Sequence, residues 1–247
     1  MKKLLVPLVL LILAACAQVP TPGDVVQPNL TPLIFGGPGD EGVTNLAKHS
    51  TGVYAVGFTS NTGRPNPQGE IDVFVRKYSS SRSVMWTRKF GTPDFEFVDG
   101  AASDASDNIY VVGSSSSDFG EDVLILKYRA DGQLAWTRQF GTPPVAKDAP
   151  STQDFAKGVA TYGSKAVYVV GRAEGKLPGS VGSGSLFIRK YTSSGSIDWT
   201  RKFGFTKNAF GFDYVGDVAV DVRGNAYVVG STDRTLGGAR VCLTEHE

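Results

Sequence analysis

The sequence predicts an all-β protein assembled from repeated four-stranded antiparallel sheets. Two interleaved signatures lead to that expectation. A hexapeptide recurs as Trp86-Thr-Arg-Lys-Phe-Gly91, Trp136-Thr-Arg-Gln-Phe-Gly141 and Trp199-Thr-Arg-Lys-Phe-Gly204. A tetrapeptide recurs as Tyr54-Ala-Val-Gly57, Tyr110-Val-Val-Gly113, Tyr168-Val-Val-Gly171 and Tyr227-Val-Val-Gly230. Self-similarity at a period of about 50–60 residues marks supersecondary units that stack to bury a shared core. The 30 glycines in 247 residues fit short strands joined by tight turns.

The chain opens on a segment unlike the repeat. Lys2 and Lys3 precede an apolar run from Leu4 to Leu13, too short for an ordinary membrane span. The run ends Leu13-Ala14-Ala15-Cys16, which resembles the lipobox of bacterial lipoproteins. The resemblance implies a signal peptide over 1–16 and lipidation of Cys16, hence a lipid-anchored place in the bacterial cell envelope, at the outer membrane or cell surface. Each buried acyl methylene contributes about 0.8 kcal/mol, so two or more chains hold a domain firmly to a bilayer. Residues 17–32 hold four prolines and show no hydrophobic period, which reads as a semi-rigid tether. The repeats then fill 33–247.

The formal net charge is +1 and no basic run occurs. That balance argues against nucleic acid and against attraction to a charged lipid surface. With Cys16 lipidated only Cys242 would remain, so no intrachain disulfide is expected.

Within the repeat, an eighteen-residue block aligns without gaps four times: Asp40 to Gly57, Glu96 to Gly113, Asp154 to Gly171 and Asp213 to Gly230. It reads as a short first strand (Ala101-Ala-Ser103 and its equivalents), a turn of flexible residues and a second strand (Ile109-Tyr-Val-Val112). The second strand is apolar on both sides, so both sides must be covered. A third strand follows at Val73–Tyr78, Val123–Tyr128 and Leu186–Tyr191. Its last Tyr precedes the next Trp by eight residues every time. The Trp hexapeptide is the fourth strand. Trp86, Arg88 and Phe90 share one side, Thr87 and Lys89 the other, as expected of an outer edge whose positive charge discourages edge pairing.

Four antiparallel strands per unit, with inner strands apolar on both sides, is the pattern of a β-propeller blade. The expectation is three complete blades (about 40–91, 96–141 and 154–204) and a partial fourth from Asp213. In the fourth, Ala239–Glu247 replaces the expected third strand. Leu33-Ile-Phe35-Gly36 matches the tail of a fourth strand, with Phe35 in the place of Phe90. Two readings stay open: a four-bladed ring closed by Leu33–Phe35, or, the favoured one, a truncated stretch of a longer propeller.

The unit, best seen in Asp217-Val-Ala-Val-Asp221-Val-Arg-Gly-Asn225-Ala-Tyr-Val-Val-Gly230, resembles the bacterial SBBP-type β-propeller repeat over residues 33–238. That resemblance implies surface-associated repeats and no defined activity. Gly132 to Trp136 and Gly195 to Trp199 also resemble the Trp-docking motif of quinoprotein propellers, in which the Trp packs between blades. The first unit departs from it, with Arg82 in place of the Gly.

No His-x-x-His, Cys-x-x-Cys or Gly-x-Ser-x-Gly arrangement occurs, so zinc and triad chemistry lack their parts. The chain therefore reads as no enzyme and as needing no cofactor. His49 is expected to be a solvated turn residue. One acid recurs in every unit: Asp40, Glu96, Asp154 and Asp213. Acids around a ring could converge on a cation such as calcium. Once-per-unit recurrence favours a structural duty instead, each acid accepting backbone N–H bonds at a turn. Trp86, Trp136, Trp199 and the series Tyr54, Tyr110, Tyr168 and Tyr227 read as packing between units.

Function is expected where the copies differ. In a meander, alternate connections share one edge. The variable ones, strand two to three and unit to unit, therefore fall together. The Tyr-to-Tyr distance across the first of these gaps is 24, 18 and 23 residues. The loops 59–71, 114–121, 142–153, 172–184 and 205–212 are the candidate recognition face for a protein or glycan. The alternatives are an envelope-assembly scaffold and, less favoured, a quinoprotein-like or glycan-cleaving enzyme.

Overall fold

The computed structural model describes residues 40–60, 71–117, 120–142, 152–204, 213–232 and 242–243. Cys16, the 1–16 and 17–32 segments and Leu33–Phe35 lie outside them. Among the described residues every regular element is a strand, and the strands form four sheets.

The first sheet is a meander of β1 (Glu41–His49), β2 (Gly52–Ser60), β3 (Ile71–Ser79) and β4 (Val84–Phe90). The second repeats it with β5 (Phe95–Ser103), β6 (Ile109–Ser117), β7 (Gly120–Tyr128) and β8 (Leu134–Phe140), and adds β9 (Thr152–Gln153) parallel to β7. The third has β10 (Phe155–Tyr162), β11 (Ala166–Arg172), β13 (Leu186–Thr192) and β14 (Ile197–Phe203), with β12 (Ser180–Gly182) parallel to β14 on the outside. The fourth has β15 (Asp213–Val220), β16 (Ala226–Thr232) and the two-residue β17 (Cys242–Leu243).

Register confirms that the units are copies. A bulge interrupts the first strand at Val43/Asn45, Val98/Gly100, Ala156/Gly158 and Val215/Asp217, the same place in all four sheets. A second shift falls at Lys77/Tyr78, Lys127/Tyr128 and Lys190/Tyr191, just before the third-to-fourth-strand turn. Bulges bend a strand and sharpen its twist.

Two expectations need correction. The first strands are long, eight or nine residues, because pairing continues past the bulge to the acid-bearing end. The Trp strand is an outer edge in the first two sheets only, since β12 covers β14 in the third.

The core lies between sheets. Tyr54, Val56, Val73 and Val75 pack on Ile109, Val111, Leu124 and Leu126. The other side of the second sheet offers Tyr110, Val112, Val123 and Ile125 to Val159, Val167, Val169 and Phe187. Tyr168, Val170, Leu186 and Ile188 then meet Val215, Val218 and Ala226. Successive residues of one inner strand serve two cores, which is why those strands read as unbroken apolar runs. Full burial of each such side chain contributes roughly 1.5–3 kcal/mol.

A polar clasp fastens the first two of these pairs. Trp86 Nε1 and Lys77 Nζ both donate to the Ala130 carbonyl, at 3.0 and 3.1 Å, and Arg88 Nε donates to the Gly132 carbonyl at 2.8 Å. One sheet on, Trp136 Nε1 and Lys127 Nζ donate to Ser193 O at 3.2 and 2.7 Å, and Arg138 Nε to Gly195 O at 2.9 Å. The indole of one sheet thus lies on the turn of the next. Gly132 and Gly195 take φ of 85° and 86°, and a Cβ there would sit 3.0 and 2.9 Å from the Trp86 and Trp136 rings. Arg82 fills this turn position in the first sheet at φ 65°. Neither Trp86 nor Trp136 lies on that turn, so neither ring excludes a side chain there, although the left-handed backbone carries strain.

The strand-one-to-two turns, on the same edge, are also tied from sheet to sheet. Ser50 N donates to Asp107 Oδ1 at 2.8 Å, Tyr54 Oη to Asp107 O at 2.6 Å and Tyr168 Oη to Gly224 O at 2.9 Å. His49 is buried there, not solvated. It hydrogen-bonds the Tyr78 carbonyl through Nε2 at 2.9 Å and packs on the Tyr54 ring. Burial holds its pKa below the ordinary value, with the nearby Lys77 charge adding to the effect.

Two outcomes are expected in urea unfolding. Ile125→Ala, at a fully buried site, lowers stability by about 3 kcal/mol. Arg82→Gly raises it by roughly 0.5–1 kcal/mol by relieving the left-handed backbone, whereas Gly132→Ala lowers it by more than about 1 kcal/mol.

Candidate functional site

Variable connections from two classes meet where the second and third sheets join. Gly141 ends the Trp hexapeptide and Thr142 begins the passage to the third sheet. Asp154, just before β10, is fully buried and organises this point. Its Oδ2 accepts the Thr142 N–H, and its Oδ1 accepts the Glu174 N–H at 2.7 Å. Thr142 Oγ1 in turn accepts the Gly175 N–H at 2.6 Å. Glu174 and Gly175 belong to the strand-two-to-three loop of the third sheet, so both expected kinds of variable connection do share this edge.

That 172–184 loop is anchored along its length. Leu177 is fully buried in the core between sheets two and three. Ala173 N donates to Ser185 O at 2.8 Å. β12 then runs beside β14 and leaves Val181 highly exposed. Lys202 of β14 sits beneath, its Nζ donating to Ala173 O at 2.7 Å and to Gly175 O. Burial lowers the Lys202 pKa, and the Asp154 charge opposes that shift. Lys202 holds the hexapeptide position of Lys89, which is exposed in the first sheet. The loop folded over Lys202 reverses its environment.

An analogous tie joins the first and second sheets. Glu96 is fully buried, and its carboxylate accepts Thr92 N at 3.1 Å, Thr92 Oγ1 at 2.5 Å and Ser115 Oγ at 3.3 Å. Burial raises its pKa against the lowering effect of those hydrogen bonds, and the Asp72 charge adds to the rise. Asp122 behaves alike at the next junction, raised chiefly by burial and also by Asp154, against the Gln139 bond that lowers it.

The recurrent acids are therefore held at separate junctions. Glu96 and Asp154 spend their oxygens on backbone N–H and hydroxyl donors. Asp40 is exposed, with its N–H donating to Ser60 Oγ at 3.0 Å, and Asp213 lies against Gly204 at the start of β15. Among the described residues no group of three or more His, Cys, Asp or Glu is brought together in a way that could hold a metal ion. The surface of this loop includes the Arg172–Glu174 pair, at 3.2 Å, and the exposed Lys176, Pro178 and Val181. The loop is packed in place, with Val181 as an exposed apolar residue beside β14. Sequence reasoning marked the loops 142–153 and 172–184, which hold Thr142 and Leu177, but neither Lys202 nor the bracing duties of these residues, which depend on contacts far along the chain.

No protein-family model matches the chain, and neither does any curated protein.

The raised Glu96 pKa fixes a pH effect. The folded state holds this proton more tightly than the unfolded one, so the contribution is complete below the ordinary value of 4.5 and is lost as pH rises through the folded pKa. Glu96→Gln removes that slope. Urea midpoints are expected to shift in favour of the variant as pH is raised from about 4.5 to 7, whatever its offset at the acid end.

Proposed function

We propose that the protein is a non-catalytic, lipid-anchored β-propeller whose variable-loop edge binds a protein or glycan at the bacterial cell envelope. In this reading the four sheets are blades, three complete and one partial, and the repeat is of the SBBP type it resembles. One observation carries the reading. The contacts between sheets and the Thr–acid ties Thr92–Glu96 and Thr142–Asp154 recur, whereas the 172–184 loop, with buried Leu177 and β12, forms a surface without a counterpart among the described residues. Repeated contacts serve the fold. A surface built once, and braced by two buried charges, is the part free to specify a partner.

The membrane anchor rests on Lys2, Lys3, the apolar run and Cys16. Incorporation of labelled palmitate and partition into a detergent phase check it, and Cys16→Ala is expected to abolish both. Proteolysis of intact cells then separates a surface location from an inward-facing envelope scaffold. For the binding face, the probes are immobilised peptidoglycan and lipopolysaccharide. Val181→Asp is expected to cut retention on one of them at least tenfold, about 1.4 kcal/mol, with an unchanged melting temperature. Equal retention of variant and parent on both, or retention on neither, removes the glycan form of the proposal.

A further inference from the structure

The turns between first and second strands are closed by different groups in different sheets. In the second sheet Asp104 Oδ1 accepts the N–H groups of Ser106 and Asn108, at 2.8 and 3.0 Å. In the fourth, Asp221 Oδ1 accepts those of Arg223 and Asn225, at 2.8 and 2.9 Å. The third is closed by Lys165 N donating to Tyr162 O at 3.0 Å. In the first, Nδ1 of the buried His49 accepts the Thr51 N–H at 3.3 Å. Its Nε2 reaches across Gly52 to the Tyr78 carbonyl at 2.9 Å. A Cβ at Gly52 would lie 2.0 Å from that carbonyl oxygen and 3.0 Å from Nε2, so only glycine leaves this path open.

Those two partners fix the state of the ring. A carbonyl can only accept, so Nε2 carries a proton. A backbone N–H can only donate, so Nδ1 is bare. The neutral imidazole satisfies both. A second proton would set Nδ1–H against the Thr51 N–H, two donors with no acceptor between them. Around the ring stand Tyr54 of β2, Lys77 and Tyr78 of β3, and Asp104 and Asp107 from the turn of the second sheet. Burial lowers the His49 pKa from 6.5 and the Lys77 charge adds to that, against the Tyr78 bond and the Asp107 charge. The carboxylate that serves the fourth sheet behaves otherwise. Its hydrogen bonds, chiefly the one from the Asn225 side chain, lower the Asp221 pKa to about 2.

The residues on either side of His49 are the ones that hold the second sheet. Lys48 O accepts from Ser103 Oγ, Ser50 N donates to Asp107 Oδ1 at 2.8 Å, and Ser50 Oγ donates to Asp107 Oδ2. We propose that His49 is a pH-sensitive latch: its neutral ring locks the 49–52 turn against the second sheet, and its protonation lets that turn go. The folded state binds this proton less tightly than the unfolded one. The contribution of the ring is therefore complete above the ordinary 6.5 and is lost as pH falls through the folded value. Mild acid loosens the Ser50–Asp107 tie and leaves the carboxylate-closed turns of the second and fourth sheets in place. This edge carries the fixed turns, away from the variable loops, so the latch stands apart from the binding proposed for them.

The test uses the full chain with His246→Gln, so that His49 is the one histidine left. Ring-nitrogen NMR shifts at about pH 7.5 are expected to show the Nε2–H tautomer, and the ring is expected to titrate below 6.5. Amide hydrogen exchange, corrected for its intrinsic pH dependence, reads the turn itself. Protection at Ser50 and Thr51 is expected to fall at least about threefold between about pH 7.5 and about pH 5, with Ser106 and Asn108 unchanged. His49→Gln in the same chain is expected to remove that dependence. An Nδ1–H tautomer, a titration at or above 6.5, or the same pH dependence of Ser50 and Thr51 in parent and variant overturns the proposal. Equal losses at Ser106 and Asn108 mean global unfolding and overturn it too. The tautomer, the titration and the parent's own exchange are read without the variant, so each can refute the latch where His49→Gln does not fold.

Discussion

Everything in this fold depends on one sheet lying flat against the next. A single four-stranded unit has two apolar sides and cannot hide either alone. Tyr110 and Val112 face one way and Ile109 and Val111 the other, so the second sheet is stable only between two neighbours. The Trp clasp sets how those neighbours sit. An indole N–H, an ammonium and a guanidinium from one sheet converge on two carbonyls of a single turn in the next. Groups that would otherwise be costly to desolvate are satisfied there, and the aromatic ring covers the turn glycine. Stability is then a sum of units and nearest-neighbour contacts.

Such a division of labour explains why recurrence and chemistry separate. The buried acids Glu96 and Asp154 look like site residues by composition, burial and, for Glu96, shifted titration. Their oxygens are consumed by Thr92 and Ser115 in one case, and by Thr142 and Glu174 in the other. The carboxylates hold the passage from one sheet to the next in a fixed path. A charge buried for this purpose resists being moved, and that rigidity is what a loop surface such as 172–184 inherits.

Much of the architecture was legible in the chain. Alternation, turn residues and constant Tyr-to-Trp spacing marked strands two, three and four in three units, because those features are local and periodic. The full length of the first strands was not legible, since a bulge breaks the alternation at Gly100 and Gly158. β9 and β12 were missed because a two- or three-residue parallel pairing leaves no period behind. His49 was misread because a lone histidine beside a turn gives no hint of the Tyr54 ring and Tyr78 carbonyl that enclose it. Lys202 sits in the same hexapeptide position as Lys89, and only a loop some thirty residues upstream in the chain distinguishes their surroundings.

The short strand β12 has a further consequence. By lying along β14 it occupies the amide and carbonyl row that a foreign strand would use. Among the described residues β4 and β8 have no strand along that row. At the third sheet backbone pairing takes over the guarding of the edge, whereas β4 relies on its exposed cationic side chains, Arg88 and Lys89.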